Sequence, residues 1–79
     1  MNYTVSEENF NKAIDYMGML DHQLAEMERN NKAHTTTYHA MNEKLLDEMC
    51  VVSILMGVEV KEIADKVNES RKKFDLQFA

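Results

Sequence analysis

Met49-Cys50-Val51-Val52-Ser53-Ile54-Leu55-Met56, closed by Gly57, is the stretch that decides how this 79-residue chain folds. At 100° per residue its apolar side chains occupy both sides of a helix rather than one stripe. Traced backwards, Tyr38, Met41, Leu45, Met49, Val52 and Met56 continue one face along a whole helix of residues 36–56. Cys50, Val51, Ile54 and Leu55 lie about 180° from that face and only in the last two turns. Toward the helix start the second face turns polar, carrying His39, Glu43 and Asp47. The first face is expected to meet a neighbouring helix. The second needs a different cover, which makes Cys50, Val51, Ile54 and Leu55 the expected interface with a second copy of the chain or with a partner protein.

The flanking segments supply candidates for that cover. Gly57 is expected to end the helix in the left-handed conformation that other residues resist. Val60, Ile63, Ala64, Val67 and Phe74 then recur at helical spacing and predict a third helix over 59–75, with Leu76-Gln77-Phe78 fraying. Folded back, its first half would cover part of Cys50–Leu55 and its Arg71 would reach the level of Glu43 and Asp47. On the other side, Ser6 before Glu7-Glu8 is a good helix start, because its hydroxyl can cap free amides and the acids suit the helix dipole. Phe10, Ala13, Ile14, Met17, Leu20, Leu24 and Met27 form one apolar stripe over residues 6–30, with Met19 off it. Asn30-Asn31 and His34-Thr35-Thr36-Thr37 prefer caps and turns, so 30–35 reads as a tight connection with a threonine capping the next helix.

With no proline and two glycines, the expected fold is all-α: residues 1–79 as one domain, an antiparallel hairpin plus a third helix. A domain this small buries only about 60% of its unfolded surface as a monomer, and such domains commonly rely on metal, disulfides or oligomerisation. The single Cys50 rules out an intramolecular disulfide. A helical-bundle homo-oligomer, most simply a homodimer, is therefore expected. Five of the seven methionines, Met17, Met27, Met41, Met49 and Met56, fall on the expected core stripes as flexible gap-fillers.

Net charge is −5, with residues 1–57 strongly acidic and residues 58–79 balanced. Nucleic-acid binding leans on clustered basic charge, and Arg71-Lys72-Lys73 is the one such cluster. There is no signal-peptide pattern and no apolar run of membrane-spanning length. A cytoplasmic protein that binds neither membrane nor nucleic acid is expected.

Groupings that could carry chemistry are sparse. His39-x-x-x-Glu43-x-x-x-Asp47 and His22-x-x-x-Glu26 have helical one-turn spacing. Metal sites in bundles need such ligands to face the core, whereas His22 and Glu26 lie opposite the Phe10–Met27 stripe and are expected in solvent. Both groupings read as exposed helical pairs, and no metal or cofactor is expected. Cys50, flanked by Met49 and Val51 with no histidine nearby on its side, lacks the electropositive setting of a reactive thiol. Val60–Val67 followed by Asn68–Phe74 has the spacing of a helix-turn-helix, although Glu69 occupies an apolar position of that motif. A continuous amphipathic helix is the preferred reading.

Glu43-Lys44-Leu45-Leu46-Asp47, the Gly57-Val58-Glu59 turn and the basic tail Arg71-Lys72-Lys73-Phe74 together resemble the last third of MazG-type all-α nucleoside triphosphate pyrophosphatases. The resemblance covers residues 43–74 and implies a nucleotide held near Glu43, Asp47 and Arg71. The family's magnesium ligands form Glu-x-x-Glu on one helix and Glu-x-x-Asp on the next. Here Glu43 and Asp47 stand four apart, Lys44 falls near the expected aspartate, and the first helix offers Glu26 and Glu28, two apart. What the resemblance implies is thus a degenerate relative that binds nucleotide without hydrolysing it. The leading expectation is a small, acidic, non-enzymatic helical protein, a regulator or inhibitor that binds another protein. The nucleotide binder and a DNA-binding regulator are its alternatives.

Overall fold

The computed structural model describes residues 6–77. They form three helices and no strand: α1 (Glu7–Arg29), α2 (Thr36–Met56) and α3 (Val60–Gln77). The local chemistry that starts and stops each one is that of the sequence. Ser6 Oγ accepts from the amide of Asn9 at 3.1 Å, and Glu7 and Glu8 fill the first turn of α1. Asn31 adopts a left-handed φ of 58°. The amides of Lys32 and Asn31 then return to the carbonyls of Met27 (2.7 Å) and Glu28 (3.2 Å), the paired bonds of a Schellman terminus. Thr35 joins the turn to α2: its hydroxyl donates to the Lys32 carbonyl at 2.7 Å and accepts from the Tyr38 amide at 3.2 Å.

The same terminal motif closes α2. Gly57 sits at φ 66°, with the Val58 amide on the Ser53 carbonyl (3.1 Å) and its own amide on that of Ile54 (3.3 Å). The Ser53 hydroxyl donates to the Val58 carbonyl, which satisfies a buried polar group in the last turn. Helix α3 continues two residues past the expected end, through an exposed Leu76. Phe78, read as part of a frayed end, lies outside the described residues.

Ile14, Met17, Leu20 and Leu24 of α1, Leu45 and Val52 of α2, and Ile63 and Val67 of α3 form the core. Met17 and Ile63 are completely enclosed. Phe10, Ala13, Tyr38, Met41, Met49, Met56 and Val58 surround them, so the expected α1 stripe and the first face of α2 both meet this core. Val60 does not. It is 43% exposed at the first position of α3, and Val58 in the preceding turn takes the place against the core instead.

The departure that matters concerns α3. It packs most extensively on α1 and least on α2. Paired residues advance together along the two helices: Lys66 over the Phe10 ring, Ser70 with Asp15, Arg71 with Asp21, Asp75 with His22. Helices α1 and α3 therefore run in the same direction, and a second buried face of α1 exists that the Phe10–Met27 stripe did not predict.

Candidate functional site

Gly18 lies where α3 passes close to α1. A Cβ at that position would run into Ser70 Oγ, lie 2.7 Å from Ser70 Cβ and 3.0 Å from the Arg71 backbone nitrogen. Glycine in mid-helix costs about 1 kcal/mol relative to alanine, so its use here has a packing reason: the two backbones cross closely. One turn along α1, His22 is only 5% exposed. This corrects the expectation that His22 and Glu26 face solvent, since the position opposite the apolar stripe is covered by α3. Glu26 is half-buried beside it.

A polar network fills this seam. His22 Nδ1–H donates to Asp75 Oδ1 at 2.6 Å, and His22 Nε2 lies 3.3 Å from Glu26 Oε1. Arg71 reaches Asp75 Oδ2 through Nε at 3.3 Å and Asp21 Oδ2 through Nη1 at 3.5 Å. Ser70 Oγ donates to Asp15 Oδ1 at 2.8 Å. The hydrogen bond from His22 holds the Asp75 carboxyl below its ordinary value; partial burial opposes this and Arg71 reinforces it. Burial works against the Arg71 charge, yet Asp75 and Asp21 prevail and raise its pKa. The network thus ties α3 to α1, with Arg71 held between Asp21 and Asp75.

Because folding lowers the pKa of Asp75, its contribution to stability is complete above the ordinary aspartate value of 3.8 and is lost as pH falls below it. Asp75→Asn is accordingly expected to lower the thermal midpoint at pH 7, with the gap to the native chain narrowing as pH drops below that value. Thermal melts of both forms across pH measure this. A gap independent of pH would mean that the Asp75 charge does not hold the seam.

With α3 engaged elsewhere, the second face of α2 stays open. Ile54 is 79% exposed, Leu55 57% and Val51 51%, and Cys50 is exposed as well. The expected fold-back of α3 over Cys50–Leu55 is therefore not what the chain does. Leu46, 53% exposed, extends the apolar surface by one turn. The apolar pattern of the last two turns does not include it, although the spacing Leu46–Cys50–Ile54 at i, i+4, i+8 carries the signal. Of the 21 residues of α2, the most apolar helix, three are buried: Leu45, Val52 and Ser53.

The other sequence-derived positions are dispersed. Glu43 and Asp47 are exposed on α2, while the ion pairs of Arg71 run to Asp21 and Asp75. His39 is exposed beside the Tyr38 ring in an edge-on contact. Among the described residues no three His, Cys, Asp or Glu side chains group as a metal ion would require. Asn68 lies inside an unbroken α3, so the turn of a helix-turn-helix is absent there. No helix of the described residues is long and apolar enough to cross a membrane. Comparison with protein-family models, curated proteins and solved structures finds no match.

Proposed function

We propose that this chain is a small, non-enzymatic helical interaction protein: an antiparallel α1–α2 hairpin, steadied by α3, that self-associates through the outward face of α2 and acts as a regulator or inhibitor by binding another protein. One observation carries the reading. The most apolar helix buries only three of its residues, and Leu46, Cys50, Val51, Ile54 and Leu55 are all turned outward within 10 consecutive positions. Complete burial of a large aliphatic side chain is worth about 1.5–3 kcal/mol. Covering the exposed half of four such residues therefore returns on the order of 4 kcal/mol, and contiguous patches of this kind mark interaction sites.

The charged groups support the same reading. Arg71, His22, Asp21 and Asp75 are engaged with one another in holding α3, which leaves the surface acidic and the α2 face as its apolar feature. The nucleotide-binding alternative draws no comparable support, since Arg71 is committed to two carboxylates away from Glu43 and Asp47.

Light scattering at low micromolar concentration tests the self-association. A mass near twice the 9.2 kDa chain is expected; a single-chain mass at every concentration would overturn it. The regulatory half is tested by capture from host extract followed by mass spectrometry. A specific retained protein is expected, and retention of nothing would remove it.

A further inference from the structure

We infer that residues 71–77, the last two turns of α3, form a latch that opens from α1 on its own and uncovers His22 while the three-helix core stays closed. Burial along α3 is uneven. Ile63 and Val67 are enclosed in the core, and Ser70 is 3% exposed against Gly18. Beyond Ser70 no described residue of the helix is buried. Arg71, Phe74 and Asp75 are half-buried, and Lys72, Lys73, Leu76 and Gln77 stand in solvent. The fully enclosed apolar contacts of α3 therefore stop at Val67.

Apart from the half-buried Phe74, what holds the remaining turns is charge. Arg71 reaches Asp21 on α1 at 3.5 Å and Asp75 at 3.3 Å, and Asp75 meets His22 at 2.6 Å. Arg71 and Asp75 each keep 34% of their side-chain surface in water, and Asp21 keeps 29%, so these ties are individually weak and are screened by salt. Local chemistry does not help. The last turn of α3 carries no basic residue, and Asp75 there sets a negative charge at the negative end of the helix dipole. Left to itself this end would fray, and its order depends on the partners it finds on α1. Segments with few buried contacts and solvent-exposed ties open at lower cost than the core they adjoin. Opening takes Asp75 away from His22, which is 5% exposed with the latch shut, and presents the ring beside Met19, Gln23 and Glu26.

Carbethoxylation by diethyl pyrocarbonate at neutral pH, read site by site with mass spectrometry, tests this on the native chain. His34 and His39 are exposed and serve as internal references. In dilute salt His22 is expected to react far more slowly than either. In about 1 M NaCl, where the Debye length falls to about 3 Å, its rate is expected to rise about fivefold, which is what losing one good exposed ion pair amounts to. Arg71→Gln in dilute salt should produce the same rise. Hydrogen exchange at the amides of 71–77 is expected to quicken in parallel, with that at 63–67 unchanged. A His22 that reacts as fast as His34 and His39 in dilute salt would overturn the latch. So would a His22 rate insensitive to both salt and Arg71→Gln, or one that rises only together with exchange at 63–67, because α3 would then open only with the whole fold.

Discussion

Gly18→Val is expected to lower the stability of the fold by about 2–3 kcal/mol, the range for forcing extra carbon atoms into a packed contact. The added side chain meets Ser70 Cβ and the Arg71 backbone nitrogen. The serine hydroxyl could rotate away, but a backbone nitrogen in mid-helix moves only with the helix. Helix α3 must therefore be displaced as a body, which disturbs the His22–Asp75 and Ser70–Asp15 bonds together. Valine's better helix propensity than glycine returns only a few tenths of a kcal/mol. For a chain of this size total stability is about 4–12 kcal/mol, so the thermal midpoint should fall by roughly 10–20 °C. Gly18→Ala should fall less, because alanine regains up to about 1 kcal/mol of helix propensity and adds one carbon. Circular dichroism melts measure both. A Gly18→Val midpoint at or above that of the native chain would mean that the α1–α3 crossing is looser than described.

Ile54→Glu is expected to leave the monomer folded and to weaken self-association more than 100-fold. With 79% of its surface in water, Ile54 contributes little to the core of one chain, and a glutamate there stays solvated. In a symmetric dimer formed through this face, as proposed, the substitution counts twice. Each copy loses burial worth about 1.5–3 kcal/mol and gains a carboxylate without a partner, which is costly away from water. Even the lower figure, doubled, exceeds the 2.7 kcal/mol or so that separates a 100-fold change in affinity. Sedimentation or light scattering over a concentration series reads the shift, and circular dichroism reads the fold. Loss of helix would place Ile54 in the monomer core. An unchanged dimer would move the interface to another surface.

These two positions divide what each level of description controls. The sequence by itself determined the helices, because their starts and stops depend on neighbours within a few residues. Ser6 and Thr35 cap, Asn31 and Gly57 take the left-handed turn, and the expected 36–56 is the observed α2. It also determined the face of α1 that meets the core and the doubly apolar end of α2, since both are periodicities of one helix. The tertiary structure alone decided which element covers which face. That choice turned on Gly18 and Ser70, two small residues 52 positions apart whose close approach has no periodic signature. A mid-helix glycine reads locally as a weakness, and only its partner reveals it as the place where two helices cross. Once α3 lies on α1, His22 is buried against Asp75 and Arg71 pairs with Asp21 rather than reaching Glu43 and Asp47. Cys50, Val51, Ile54 and Leu55 remain in the open because α3 turns Ile63 and Val67 into the core shared by all three helices and lies mainly along α1, away from that face of α2.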